Sequence, residues 1–187
     1  MKVENIIIAC QKEPSENMNR LLKIIHEKKI SLKIVSAGDT ILLENQVTLS
    51  VLWPDKNNLI EENAMNNNSL VCKLNYQDVS VLLTGDIETI AEETMLQRFQ
   101  GEESLLQATI LKVAHHGSQS STSFRWLEQV KPEIALIGVG EKNSFGHPNL
   151  EVLERLNQQG VRVYRTDQNG EIILKIQKEI LVITKLK

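Results

Sequence analysis

The chain has 187 residues, of which 41% are hydrophobic and 24% are charged, and its formal net charge is -3. A chain of this length can bury one substantial core, and because no break in composition divides it, we predict a single domain over residues 1–187. The slightly acidic balance excludes the broad basic field of a strong non-specific nucleic-acid binder. No apolar run approaches the roughly 18 residues that a membrane-spanning helix requires, and no signal peptide is recognisable, so we expect a soluble chain.

The first part of the chain combines short strands with one amphipathic helix. The segment Glu13-Pro14-Ser15 favours a helix start, and apolar residues at helical spacing continue to about Lys29. Residues 55–68 are polar and lack a periodic apolar pattern, so we predict a mobile surface loop there. Strand-like segments lie at residues 5–9, 32–35, 40–43, 47–52 and 69–76, with a turn near Glu44-Asn45.

The two cysteines, Cys10 and Cys72, lie far apart in apolar, strand-like segments. They lack the close spacing of cysteine metal ligands. Free buried thiols are therefore favoured over a disulfide.

A strand–helix–strand unit in the middle of the chain gives the most informative spacing. Residues 79–84 and 108–113 are strand-like, and the residues between them have a helical spacing of apolar side chains. A connection of this length joins parallel strands, whose carboxyl ends meet at the same edge of a sheet. Asp86 and His115 follow these two strands, so we expect them to face one cleft.

The last third of the chain continues the alternation of helices and strands. Helices are predicted at residues 124–130, with an N-cap at Thr122 or Ser123, and from Leu150 to Gly160. Further strands are predicted at residues 134–139, 161–164, 171–176 and 180–184, with a turn at residues 167–170.

Asp86, His115, His116 and His147 all lie in loops that follow apolar strands. Carboxylate and imidazole groups together are suitable ligands for zinc, manganese or iron. Each residue also has an ordinary structural alternative, since Asp86 could cap the next helix and His147 could hydrogen-bond within its loop.

A run of hydroxyl side chains follows the paired histidines, beginning at Ser118. Such a run could supply a nucleophile, hydrogen bonds within the loop, or contacts to phosphate. A serine hydrolase is disfavoured because the Gly-x-Ser-x-Gly elbow of that class is absent.

Four of these segments form a pattern: Leu83-Thr-Gly-Asp-Ile87, Leu111-Lys-Val-Ala-His-His-Gly-Ser118, Asn143-Ser-Phe-Gly-His-Pro148 and Tyr164-Arg-Thr-Asp167. Their order and spacing resemble the metallo-β-lactamase-like domain at the C-terminal end of the ComEC/Rec2 DNA-internalisation (competence) proteins. The resemblance implies an α/β (α+β) fold, a layered αββα sandwich. It also implies one or two metal ions, zinc or manganese, in a cleft at the edge of two sheets.

The resemblance assigns the catalytic roles to Asp86, His115 and His116. Asp86 matches the family's bridging aspartate, and His115 or His116 matches its last metal-binding histidine. Adjacent residues on an extended segment point in opposite directions, so we expect only one histidine to bind metal, and His115 is favoured. Asn143 and His147 are expected to line the substrate side of the cleft. Ser118 is expected to lie close to the phosphate.

The principal metal motif of the family, His-x-His-x-Asp-His, does not occur in this sequence, whose four histidines are His26, His115, His116 and His147. In the family that motif lies just before the segment that residues 3–9 resemble. We therefore expect an N-terminally incomplete domain or a degenerate relative. Loss of the first strands would expose an apolar edge or face of the sheet, which favours self-association.

The activity that the resemblance implies is metal-assisted hydrolysis of phosphodiester bonds in the non-transported strand during DNA uptake. Its partners are single-stranded DNA and the membrane channel portion of the parent protein, with this domain outside the cytoplasm. Because most metal ligands are missing, we predict little or no nuclease activity for the chain alone. A non-catalytic binding or structural module that keeps the fold is the alternative.

Overall fold

The computed structural model describes residues 2–11, 15–44, 47–177 and 180–186. The predicted helix start at Glu13-Pro14 and the turn residue Asn45 lie outside these ranges. The strands are β1 (Asn5–Ala9), β2 (Ser31–Val35), β3 (Thr40–Glu44), β4 (Val47–Trp53), β5 (Val71–Tyr76), β6 (Val79–Leu83), β7 (Ile110–Lys112), β8 (Ile134–Ile137), β9 (Arg162–Arg165), β10 (Glu171–Gln177) and β11 (Ile180–Leu186). The helices are α1 (Glu16–Glu27), α2 (Ala64–Asn67), α3 (Thr89–Arg98), α4 (Phe124–Val130), α5 (Leu150–Gln158) and α6 (Thr166–Asn169).

A seven-stranded mixed sheet forms the centre of the fold, with its strands in the order β3 to β9. The strands from β3 to β6 pair antiparallel, and those from β6 to β9 pair parallel. Val81 of β6 lies opposite Ile110 of β7, with α3 between the two strands. The predicted parallel crossover is therefore confirmed, and the loops after β6, β7, β8 and β9 emerge at one edge.

Residues that alternate along the central strands separate the two faces of this sheet. On β7, Leu111 packs with the helix layer of α3, α4 and α5, whereas Ile110 packs with Leu174 and Ile183 of the β10–β11 pair. The parallel pair β1–β2 covers the β3–β5 end of that second face, where Ile7 packs with the cluster around Cys72. Helix α1 connects β1 to β2 and buries Ile25. This order of layers confirms the αββα sandwich, because other layers pack on both faces of the central sheet.

The segment at residues 55–68 differs from the predicted mobile loop. It contains α2, and the side chains of Asn67 and Asn68 are only 0% and 2% exposed. The amide of Asn68 bonds the backbone of Ile60 in both directions, at 3.0 and 2.8 Å. The loop prediction is wrong for this part because side-chain amides, rather than periodic apolar contacts, fix the backbone.

The structure also tests two smaller predictions. The turn predicted at residues 167–170 is the short helix α6, which Arg165 and Asp167 brace through an ion pair of 2.5 Å. Cys10 and Cys72 are free thiols, as predicted, but only Cys72 is buried and Cys10 is half-buried. Within the described residues, no helix combines the length and the apolar character needed to cross a membrane.

Candidate metal site and substrate cleft

Asp86 lies in a tightly packed loop directly after β6. The backbone at Gly85 has a φ of +54°, and a Cβ there would lie 2.7 Å from Cβ of Ser69, so only glycine fits. The Ser69 hydroxyl accepts a hydrogen bond from the backbone N–H of Asp86 at 3.2 Å. The alternative of Asp86 as a helix cap is wrong, because α3 begins later and its N-cap residue is Glu88.

The paired histidines form a left-handed turn after β7, with φ values of +47° at His115 and +55° at His116. The expectation of an extended segment here is therefore wrong. Such a conformation costs of order 1–3 kcal/mol for each residue and persists only where the surroundings enforce it. The backbone N–H of His115 donates to the carbonyl of Gly85 at 3.1 Å, which fastens the turn to the Asp86 loop.

His116, rather than the favoured His115, lies beside Asp86. Its Nε2 is 3.9 Å from Oδ1 of Asp86, and its Nδ1 is 2.6 Å from the carbonyl oxygen of Gly138. A carbonyl oxygen can only accept, so we assign the proton to Nδ1, which leaves Nε2 facing the carboxylate. A histidine that binds metal is oriented in this way by a second group on its other nitrogen.

His115 faces a different carboxylate, with its Nδ1 3.5 Å from Oε1 of Glu88. Burial raises the pKa of Glu88, but hydrogen bonds from Asn63 and Ser120 and the nearby His115 outweigh it and lower the pKa. The predicted phosphate contact, Ser118, joins this cluster because its hydroxyl lies 3.1 Å from that of Ser120. His115 therefore faces an ionised carboxylate that hydrogen bonds hold in place.

The serine-rich loop is held by Glu92, a fully buried residue of α3. Its carboxylate accepts hydrogen bonds from the backbone N–H groups of Thr122 and Ser123. Burial raises the pKa of Glu92 above its usual value, and these hydrogen bonds offset only part of that shift. Of the two residues predicted as N-cap of α4, Ser123 has that role, since its hydroxyl accepts from the N–H of Trp126.

A cleft of about 400 Å³ lies beside His116. We call it the substrate cleft, and it is lined by His116, Gly138, Val139, Gly140, Asn143, Phe145 and His147. The ring of His147 lies 5.8 Å from that of His115. Burial, followed by the two neighbouring histidines, lowers the pKa of His147.

Asn143 lines this cleft mainly as a brace of its own loop. Its side-chain amide donates to the carbonyls of Gly140 and His147, and its oxygen accepts from the N–H groups of Phe145 and His147. These four bonds use the hydrogen-bonding capacity of the amide. Asn143 therefore fixes the wall of the cleft.

The histidine turn and the wall of the cleft meet at Gly117 and Pro148. Gly117 has a φ of +82°, and a Cβ there would lie 2.6 Å from Cβ of Pro148. The backbone N–H of Asn149 also donates to the carbonyl of Gly117 at 2.8 Å. The two loops can dock this closely only with glycine at that position.

Asp86 and His116 fit part of the coordination of a metal ion. Two ligands at about 2.0–2.2 Å from a tetrahedral ion lie roughly 3.3–3.6 Å apart. The observed 3.9 Å is close to that separation. Among the residues that the structure describes, no group of three or more His, Cys, Asp or Glu side chains is arranged to hold a metal. The pair therefore offers two donors at a spacing close to that of metal ligands.

Sequence reasoning missed three residues of this region. Glu88 had a signal in its position two residues after Asp86. Phe145 lay within a quoted motif but received no role of its own. Lys112 is partly buried, and burial lowers the pKa of its amine, while the charge of Asp86 opposes that shift.

Comparison with known proteins gives relatives that match about two thirds of the chain or more. ComE operon protein 3 of Bacillus subtilis is 31% identical over 181 residues, which is 96% of this chain and 22% of that protein. Competence protein ComA of Neisseria gonorrhoeae is 31% identical over 67% of this chain and 17% of its own length. Recombination protein 2 of Haemophilus influenzae is 33% identical over 66% of this chain and 15% of its own length.

The chain is a homologue of one segment of these competence proteins. The resemblance found in the sequence is thereby confirmed. The chain spans less than a quarter of the length of each of these relatives, the largest share being 22%. No protein-family model matches the sequence.

A solved structure supports the fold independently. It is the crystal structure of a protein from Parabacteroides distasonis named as a metal-dependent hydrolase, and it aligns with a TM-score of 0.51. The alignment covers 87% of this chain and 64% of that protein, at 16% sequence identity. At this identity the similarity concerns the fold alone.

Proposed function

We propose that this chain is part of a metal-dependent hydrolase domain of a DNA-uptake protein, acting on phosphodiester bonds of the non-transported strand. The observation that carries the proposal is the pair of Asp86 and His116. Their facing atoms are 3.9 Å apart, and a carbonyl fixes the ring of His116 from behind. Homology to competence proteins supports DNA as the substrate.

We assign the following roles to the residues of the chain. Asp86 and His116 would hold a zinc or manganese ion, which supplies Lewis-acid stabilisation of the charge that develops on a phosphate. His115 lies between Glu88 and His147, where its imidazole can hold or move a proton at Nδ1 towards the Glu88 carboxylate. Ser118 and His147 lie near His115, and we propose that they contact the substrate.

The remaining metal ligands would come from the His-x-His-x-Asp-His segment of the family, which this sequence does not contain. Two protein ligands are too few for a site that usually has three or four. We therefore expect the 187-residue chain by itself to bind metal weakly and to cleave little or no DNA.

Localisation and partners follow from the same proposal. As the family resemblance implies, we propose a position outside the cytoplasm, next to the membrane channel portion of the parent protein. Self-association is also proposed, because Ile34 of β2 and Leu42 of β3 are 60% and 71% exposed. Sedimentation velocity at rising concentration tests it, and a chain that stays monomeric throughout contradicts it.

A binding or structural module without catalysis is the second candidate. The observation that favours it is the absence of a third metal ligand beside Asp86 and His116 among the described residues. In that case the fold would contribute a surface, and the histidine turn would contact phosphate without cleaving it.

The deciding experiment joins a family segment carrying His-x-His-x-Asp-His to the start of this chain. We expect this fused domain to bind manganese or zinc and to cleave single-stranded DNA, and Asp86→Asn or His116→Gln to abolish both. His26→Gln, on helix α1, is the matched control and should change neither. A folded fused domain that binds no metal and cuts no DNA would support the binding module and refute the hydrolase.

A further inference from the structure

Phe145 is an aromatic side chain that the fold leaves in solvent, with 80% of its surface exposed. The ring is stacked on that of His147, with the ring centroids 5.8 Å apart and the planes inclined by 18°. One face of the phenyl ring is thus supported, while most of the ring remains open. Exposed aromatic residues beside a cleft are typical of binding surfaces.

The loop that carries Phe145 is fixed before any ligand arrives. The Asn143 side chain accepts hydrogen bonds from the N–H groups of Phe145 and His147, at 3.2 and 3.0 Å. The next residue, Pro148, packs against Gly117 of the histidine turn. A ligand that stacks on this ring therefore has little backbone to order, which favours binding.

The phenyl ring is also close to the proposed chemistry. Phe145, His147 and His116 line the same substrate cleft of about 400 Å³. His116 faces Asp86 across the pair that we propose to hold metal. A group stacked on Phe145 would therefore be attached to a phosphate near that pair.

We infer that Phe145 is a stacking platform for one nucleobase of single-stranded DNA. The inference rests on the proposed function, which gives DNA as the substrate, and adds how the strand is held. Every base has a flat π-face, so stacking binds a strand without selecting its sequence. In a duplex these faces are covered by neighbouring bases, so the platform favours an unpaired strand.

The test measures binding of labelled oligothymidylate to the 187-residue chain by fluorescence anisotropy at low salt. We expect Phe145→Ala to weaken binding about 5- to 150-fold, the range for removal of one stacking aromatic. Phe145→Trp should keep the affinity, whereas Phe145→Leu should behave like alanine. Phe124→Ala removes another exposed phenylalanine, 41% exposed on α4, and should have no effect.

An abasic oligonucleotide of equal length and charge separates stacking from phosphate binding. It should bind the wild-type chain and Phe145→Ala equally, because it offers no base to stack. The inference is overturned if Phe145→Ala loses as much affinity for the abasic strand as for oligothymidylate. It is also overturned if Phe145→Ala binds oligothymidylate as tightly as the wild-type chain does, or if the wild-type chain binds neither strand.

The same variants separate this inference from the proposed hydrolase. If the fused domain cleaves DNA and Phe145→Ala binds and cleaves normally, the platform is refuted and the hydrolase stands. If Phe145→Ala loses binding but the wild-type fused domain never cleaves, the hydrolase is refuted and the platform stands.

Discussion

The docking of the histidine turn on the cleft wall predicts a large effect of a single methyl group at Gly117. In Gly117→Ala the new Cβ would lie 2.6 Å from Cβ of Pro148, and the backbone φ is +82°. The left-handed backbone costs a non-glycine residue about 1–2 kcal/mol, and forced overpacking costs about 1–3 kcal/mol. We therefore expect the free energy of unfolding to fall by about 2–5 kcal/mol.

Two other glycines of the same region provide matched controls. Gly146 has a φ of +71° but open space around it, so Gly146→Ala should cost only the backbone term of about 1–2 kcal/mol. Gly140 has open space and lies outside the left-handed region, so Gly140→Ala should leave stability nearly unchanged.

Urea denaturation followed by circular dichroism measures the series. With a slope of about 3 kcal/mol per molar urea, Gly117→Ala should lower the midpoint by roughly 0.7–1.7 M. The difference between Gly117→Ala and Gly146→Ala isolates the contact with Pro148. If the two variants are equally stable, the close docking of the two loops is refuted.

Three further predictions concern single side chains. Asn67 is fully buried, and Asn67→Ala leaves the half-buried N–H of Glu88 without its 3.0 Å partner. We expect it to lower the free energy of unfolding by about 2–4 kcal/mol, whereas Asn57→Ala at an exposed position should change it by less than about 0.5 kcal/mol. Equal effects of the two variants in urea denaturation would contradict this. The pKa of His147 is lowered, so its protonation costs more in the folded than in the unfolded chain, and the stability present above about pH 6.5 is lost as pH falls through the folded pKa. An NMR titration of its imidazole should give a midpoint below 6.5, and a midpoint above it would refute the environment described. Burial raises the pKa of Cys72 to about 11, so at pH 8 a thiol reagent should label the half-buried Cys10 first, and faster labelling of Cys72 would contradict its burial.

The sequence was most informative where periodicity reflects burial. The strands β6 and β7 and the helix between them have apolar residues at their own periods, and this predicted both the parallel pairing and the common edge. The amide-anchored segment at Asn67 and Asn68 could not be predicted in this way. Its order comes from side-chain amides that bond the backbone of Ile60 and Glu88, 8 and 21 residues away, and such contacts leave no periodic pattern.

The candidate site was predicted in its composition more than in its geometry. Asp86, His116 and His147 were selected because they follow strands, and the structure gathers them around one edge. The direction of each imidazole depended on the left-handed turn at His115 and His116, which a sequence does not reveal for non-glycine residues. The partner of His115, Glu88, was missed because a carboxylate at the start of a helix has an ordinary local explanation.

Anomalous diffraction from crystals of the fused domain grown with manganese would show whether Asp86 and His116 bind one metal ion together. We expect an anomalous peak about 2.0–2.2 Å from a carboxylate oxygen of Asp86 and from Nε2 of His116, with Nδ1 of His116 still bonded to the carbonyl of Gly138. A peak bound by His115 instead, or no peak beside Asp86, would contradict it.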